Sequence, residues 1–344
     1  MGLVHAVLAA GAALLVANLT LKAAARLRQR RMRGGSNGHI GSLKNKHVVI
    51  TGGSSGIGLA IAMRCAAEGA FLTLISRTPS KLTAAAELIT TTLGCPSHRV
   101  QTKIADTSDA DAIISALKQS FEWMPIDVLI CNAGLAKPGM IGEVEVKDLD
   151  LVTKTNFLGC VYPIHAVVPL MKQRSLENPS SIVIMSSLAG LIPVYGVNVY
   201  SATKYALKGL AEVLYLELLP WNIHVNLICP SFTKTDLLAE EYFGANATIC
   251  GVGKTLYSYN QQSLDSADHV AKITLEGIKA GRFLTFTNRQ GSTLGPLGRG
   301  FIPSDSFSTF FLELLLMIPY RFLNVLWLLH SKKVIMSSMN SNMN

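Results

Sequence analysis

The sequence predicts an α/β protein built as a doubly wound parallel sheet with helices on both faces. Three observations point there. Six short runs rich in Val, Ile, Leu and Thr recur through the middle of the chain, stretches of helical length and periodicity separate them, and a glycine-rich turn follows the first run directly. A strand buried on both sides has no polar face to alternate with, so continuous apolar strands interleaved with helices mean a covered parallel sheet.

The runs are "HVVIT" (47–51), "FLTLIS" (71–76), "HRVQTKIAD" (98–106), "DVLIC" (127–131), "SIVIMSS" (181–187) and "IHVNLIC" (223–229). The first runs into "TGGSSGIG" (51–58), which places Gly52, Gly56 and Gly58 at the head of a helical stretch. Glycine there permits a tight turn, close backbone approach to a pyrophosphate and close packing of helix on strand. The helix N-terminus then offers unpaired N–H groups and its positive dipole end to the anion. This is the Rossmann-type arrangement of a dinucleotide site, and a strand before, a helix after and a second strand on cue make the signal strong.

The second run decides between the two nicotinamide dinucleotides. An NAD site places Asp or Glu at its end to meet the ribose 2′-hydroxyl. Here "ISRTPSKL" offers Ser76 and Arg77 and no acid. Arginine pairs with a 2′-phosphate in bidentate fashion, so NADPH is the expected cofactor.

The stretch "YSATKYALKG" (200–209) sets Tyr200 and Lys204 one helical turn apart, on a shared face. A phenol with a pKa of about 10 is a reluctant acid–base catalyst near neutrality. A nearby ammonium stabilises its anion and brings it towards a useful range. Ser187 lies thirteen residues ahead of Tyr200 at the end of the fifth run, "NAG" (132–134) follows the fourth, and Asn156 sits in "TKTNFLG". Strand C-termini are where open α/β sheets bind ligands.

Together, "TGGSSGIG", "NAG", Asn156, Ser187 and "YSATK" resemble the short-chain dehydrogenase/reductase family over roughly residues 44–240. The resemblance implies a catalytic set of Asn156, Ser187, Tyr200 and Lys204. In it, Lys204 also holds the nicotinamide ribose, Ser187 polarises the substrate carbonyl, and Asn156 holds a water that relays the proton. The cofactor would be held by Gly52, Ser54, Ser55, Gly56, Ile57, Gly58, Arg77, Lys81, Asp106, Asn132, Gly134, Tyr200, Lys204, Pro230, Thr233 and Thr235. Of these, Thr235 matches a position near the carboxamide and Asp106 one beside the adenine. The usual glycine after Pro230 is replaced by Ser231. Tyr205 lacks a lysine four residues on and reads as structural, and Ser186 should point to the other face of its strand.

The stretches 51–62, 159–174 and 200–225 are further similar to the 3-ketodihydrosphingosine reductases of that family. This implies 3-ketosphinganine, a long-chain amino ketone, as substrate, reduced with NADPH at the cytosolic side of the endoplasmic reticulum. The alternatives are a membrane-anchored reductase of a steroid, retinoid or 3-ketoacyl thioester, and a silent scaffold with this fold. Asp236, Glu240 and Glu241 are acids available to a substrate ammonium. The family often pairs through two helices of each subunit, so a homodimer is admitted, with 199–219 supplying one helix.

Composition agrees with a membrane-associated enzyme. The 344 residues are 49% hydrophobic and 15% charged, with a mean hydropathy of +0.34. Six basic residues of the formal +9 (Lys22, Arg26, Arg28, Arg30, Arg31, Arg33) sit in one acid-free stretch, leaving 25 basic against 22 acidic elsewhere. A nucleic-acid groove spread across the fold is thereby disfavoured. Six scattered cysteines without a C-x-x-C pair read as reduced thiols, and no metal site is expected.

Residues 2–21 are apolar enough to span a bilayer, and the basic run behind them orients the remainder to the cytosol. A cleaved signal peptide would carry its charge ahead of the apolar stretch instead. The apolar segment 307–330 is interrupted by Glu313, Pro319 and Arg321, which suits a hairpin in one leaflet or a surface helix better than a span. A buried helix is the competing reading. The expected organisation is an anchor (1–22), a basic linker (23–43), a reductase domain (44–290), a membrane-associated segment (291–333) and a polar tail (334–344). Residues 244–264 show no clear pattern, and a sequon at Asn246 would have no use on the cytosolic side.

Overall fold

The computed structural model describes residues 39–174, 178–235 and 264–288, together with 326, 329, 330 and 333. Seven parallel strands form one sheet in the order β3-β2-β1-β4-β5-β6-β9. They are β1 (His47–Thr51), β2 (Phe71–Ser76), β3 (Val100–Ile104), β4 (Val128–Cys131), β5 (Ser180–Met185), β6 (Ile223–Cys229) and β9 (Leu284–Phe286). A second, two-stranded sheet pairs β7 (Thr233–Lys234) with β8 (Asp265–Ser266).

The sheet separates two cores, and strand alternation assigns side chains to them. Val48 and Ile50 of β1 face one, and Val49 faces the other. The first core is closed by α1 (Gly56–Ala67), α2 (Pro79–Leu93) and α7 (Ala267–Lys279), through Ile61, Leu82, Ile89 and Leu275. The second is closed by α3 (Ala110–Trp123), α5 (Gly159–Lys172) and α6 (Asn198–Leu218), through Leu117, Ile164, Val167 and Leu207. Helices thus cover both faces, as the sequence predicts. The core also takes in Ile40 and Leu43, ahead of β1.

Strand ends depart from the sequence reading where a local bond competes with the ladder. Residues 97–99 turn as a short 3-10 helix, so β3 begins at Val100, and as an edge strand it leaves Ile104 64% exposed. Asp127 stays outside β4, where its carboxylate accepts the His47 backbone N–H (2.8 Å) and pairs with Arg174 (2.7 Å). β5 stops at Met185, two residues short of the expected end. The three-residue β9 lies in no expected run.

The expected anchor, the linker up to residue 38, the carboxylates of Asp236, Glu240 and Glu241, Asn246, Cys250, nearly all of 244–264 and most of 291–344 lie outside the described residues. Among those described, no helix is long and apolar enough to cross a membrane.

Candidate active site

Strand order reverses between β1 and β4, which pair with Thr51 opposite Cys131. Two loops leave the sheet side by side there, and such a switch point opens a crevice for a ligand. Thr51 binds them together: its Oγ1 accepts the N–H groups of Asn132 (3.1 Å) and Ala133 (3.2 Å). The Asn132 side chain answers by donating to the carbonyls of Thr51 and Gly52, both at 3.2 Å.

Glycine is required in this turn for two separate reasons. Gly52 adopts φ +64°, in the left-handed region. Gly58 is needed for contact: a Cβ there would overlap the Gly52 carbonyl oxygen and lie 2.6 Å from Asn132 Nδ2. The helix behind, α1, has no side-chain cap at Ser55 and no acid in its first turn. Its leading N–H groups therefore face the turn without a side-chain acceptor, which fits a pyrophosphate.

Beyond the turn, Ser54 Oγ donates to Ser76 Oγ (2.9 Å) at the end of β2. Arg77 follows, with Nη1 3.6 Å from Asp106 Oδ2. That contact is weak, since the arginine side chain is 57% exposed and the other Asp106 oxygen already accepts from the backbone and hydroxyl of Ser108. Most guanidinium donors are left in solvent. Lys81 is exposed in the first turn of α2, four residues beyond Arg77. Arg77 and Asp106 thus meet beyond the C-terminal ends of β2 and β3, on the same edge of the sheet as the catalytic group and two to three strands to one side of it, with Lys81 following on α2.

The catalytic group is assembled on α6. Lys204 is buried, its Nζ donates to the Met185 carbonyl (2.9 Å), and it stands 5.5 Å from the centroid of the Tyr200 ring. Burial lowers its pKa to about 8, so the ammonium persists at neutral pH. Ser187 caps the 3-10 turn Leu188–Gly190, its Oγ accepting from Ala189 N (3.1 Å). That bond uses a lone pair and not the hydroxyl hydrogen. Ser186 is buried and donates to the Lys204 carbonyl (3.0 Å), a structural bond, but it borders the cavity beside Ser187: β5 has ended at Met185, so the alternation expected of a strand does not reach it.

Asn156 lies in a π-helical turn, Lys154–Leu158, between α4 (Val146–Thr153) and α5. Its amide clasps the backbone of Leu135, accepting from N–H and donating to C=O at 2.8 Å each, and it also donates to Thr203 Oγ1 (3.3 Å). Both amide hydrogens are engaged, leaving one Oδ1 lone pair. Oδ1 and Lys204 Nζ flank the same point above Gly134, 3.2 and 3.6 Å from where a Cβ would sit. Tyr205, 42% exposed, has no part in the group.

A cavity of about 270 Å³ joins these parts. Its lining includes Gly134, Ser187, Tyr200, Lys204 and Thr235 among the polar parts and Ala136, Ile192, Val194, Val197 and Phe232 among the apolar ones. Twelve of the expected site residues border it; Ser54, Gly58, Arg77, Lys81, Asp106 and Asn156 do not. The floor after β6 is tied in place by Thr233 Oγ1 to Ser231 O (2.9 Å), by Thr235 Oγ1 to Thr233 O (3.3 Å) and by Asp265 N to Phe232 O (3.0 Å).

Several supporting residues escape a reading of motifs: Thr51, Thr203, and the carbonyls of Leu135 and Met185. Only Thr51 carried a signal, as a hydroxyl closing the strand before the glycine turn. The five described cysteines are buried and in no disulfide, and no metal-binding cluster occurs among the described residues.

Comparison with known proteins agrees with this geometry. Residues 46–243 match the family described as short chain dehydrogenase. The chain is 37% identical to a 3-dehydrosphinganine reductase of Arabidopsis thaliana over 279 residues, covering 81% of this chain and 82% of that protein. It is 33% identical to the 3-ketodihydrosphingosine reductase of Mus musculus over 273 residues, or 77% and 78% of the two chains. Among solved structures, L-sorbose reductase of Gluconobacter frateurii, complexed with NADPH and L-sorbose, superposes with a TM-score of 0.62. The pair are 25% identical over 72% of this chain and 96% of that one. Levodione reductase superposes with a TM-score of 0.65 at 22% identity, over 73% and 99%. The chain belongs to the short-chain dehydrogenase family.

Proposed function

We propose that the protein reduces the 3-keto group of 3-ketosphinganine to the alcohol of sphinganine, with NADPH as reductant. The observation that carries this is that Tyr200, Lys204 and Ser187 line one cavity together with the apolar Ala136, Ile192, Val194, Val197 and Phe232. A ketone buried there has its oxygen beside hydroxyl donors and its hydrocarbon against Ile192, Val194 and Val197. The relatives that share a third or more of its residues over most of the chain are named for this reaction. NADPH is supported by Arg77, whose solvated guanidinium follows β2 where an NAD site would place an acid.

When bound, the nicotinamide supplies the hydride that reaches the carbonyl carbon. The chain's own residues manage the proton. Ser187 donates its hydroxyl hydrogen to the ketone oxygen and orients it, and Tyr200 delivers the proton that completes the alcohol. The Lys204 ammonium stabilises the tyrosinate left behind and reaches the ribose hydroxyls. Asn156 holds Leu135 against α6, and its remaining Oδ1 lone pair shares with Lys204 the space over Gly134, a seat for the relaying water. The glycine turn and the first turn of α1 would hold the pyrophosphate, Arg77 and Lys81 the 2′-phosphate, and Thr233 and Thr235 the nicotinamide end.

The same proposal includes the setting. Residues 1–22 anchor the enzyme in the endoplasmic reticulum membrane with 44–290 in the cytosol, and 291–333 lies on or dips into the membrane. The apolar anchor and the basic stretch behind it support that orientation. Val213 and Leu216, more than half exposed on α6, support pairing of two copies through that helix.

The test is NADPH oxidation by detergent-solubilised protein offered 3-ketosphinganine, a steroid ketone, a retinal and a 3-ketoacyl thioester. Selective turnover of the amino ketone is expected. Turnover of another substrate with none of the first would overturn the substrate assignment.

A further inference from the structure

We propose that the alkyl chain of the substrate leaves the cavity across the loop 136–146 and lies on Met140, Ile141 and Val146. This rests on the reading of the substrate as a long-chain ketone. A cavity of about 270 Å³ falls below the usual range of roughly 300–1,000 Å³ for pockets that bury a drug-sized molecule. It must also admit the nicotinamide. The reacting head fits, and most of a long chain has to run outside.

The apolar wall shows a way out. Ala136 is buried in that wall, and three residues later the chain bridges to another part of it, with Gly139 paired to Val197. Gly139 N donates to Gly196 O (2.8 Å), and Asn198 Nδ2 donates to Gly139 O (2.8 Å), so the loop is fastened to the start of α6. Immediately after the bridge the Met140 carbonyl accepts from Glu143 N (2.8 Å) and Val144 N (3.2 Å). The turn is therefore closed by its own backbone and does not need apolar side chains.

It carries them all the same. Met140 is 39% exposed, Ile141 62% and Val146, which opens α4, 74%. Turns favour Gly, Pro, Asn, Asp and Ser. Three large apolar side chains within seven residues, the first of them directly after the bridge to the cavity-lining Val197, offer an exposed surface for hydrocarbon. Glu143, Glu145 and Lys147 border it, the last two paired with each other at 2.6 Å.

The experiment uses the full chain in mixed micelles, with 3-keto amino lipids of eight, twelve and eighteen carbons. Ile141→Asn, Val146→Asn and the double variant are compared with the unaltered protein. A fully buried methylene changes binding by about fourfold, so a track that covers several partly should give a clear rise of kcat/KM with length. The double variant should lose about tenfold on the longest substrate through KM, with kcat kept. The eight-carbon substrate should stay within about twofold, as expected for surface changes away from the chemistry. Equal losses at every length, or none at any, would overturn the track and point to another occupant of this surface, such as a second copy or the chain's own apolar segment. Absence of turnover across the whole series would instead overturn the substrate reading, and the track with it.

Discussion

Replacing Lys204 by Met should alter stability in a way that depends on pH, because the lysine is a buried charge before it is a catalyst. Its pKa lies near 8 instead of 10.5, and burial is the main cause. Between those values the unfolded chain holds the proton and the folded one has released it, so the penalty for burying the ammonium fades as pH rises. The displacement corresponds to about 3 kcal/mol opposing folding at pH 7 and about 1 kcal/mol at pH 10. Methionine removes that penalty but leaves the Met185 carbonyl without its 2.9 Å donor, costing about 1–3 kcal/mol at either pH. The variant should thus match or exceed the native stability at pH 7 and fall about 2 kcal/mol relative to it by pH 10. Urea unfolding of both proteins without cofactor at the two pH values reads this directly. The Tyr200 ring stands beside Lys204, so both proteins carry Tyr200→Phe, and the titrating groups they share then cancel. Curves that keep the same separation at both pH values would refute the reasoning.

Three further perturbations follow from single contacts. Arg77→Glu should lower kcat/KM for NADPH about 10–100-fold, from the loss of charge-assisted hydrogen bonds, and move the preference towards NADH; the ratio of the two efficiencies checks it. Gly58→Ala would drive a methyl group into the Gly52 carbonyl, and should cost about 1–3 kcal/mol together with cofactor binding, read by nicotinamide fluorescence. Asp127→Ala strips the half-buried Arg174 and the buried His47 N–H of their shared acceptor, and should cost about 1–3 kcal/mol in urea unfolding. It lies at the N-terminal end of β4, opposite the cavity, so catalysis in the folded fraction should persist.

The central strands were legible because burial on both faces leaves a plain mark. The runs at 47–51, 71–76 and 223–229 match β1, β2 and β6 to the residue. β3 was overdrawn since an edge strand carries a weaker pattern, and β9 was missed because three residues are too few to show one. The site divides in the same way. Tyr200, Lys204 and Ser187 converge as their spacing implied, because the helix and the strand end that carry them are regular. What the sequence could not show is what holds them. The π-turn at Lys154–Leu158 is a shift of hydrogen-bond register with no composition of its own, and it is what delivers Asn156 to Leu135. The Met185 carbonyl that receives Lys204 is a backbone atom, silent in sequence. The ring of His47, Asp127 and Arg174 joins residues far apart in the chain, as does the approach of Arg77 to Asp106.

The most direct test of the account is the single-turnover rate of 3-ketosphinganine reduction by Tyr200→Phe, with NADPH affinity measured on the same preparation. If Tyr200 supplies the proton in this cavity, the rate should fall by about 10²–10⁴, far more than the loss of one cofactor hydrogen bond takes from NADPH affinity. A variant that reduces the ketone at the native rate would contradict the central claim.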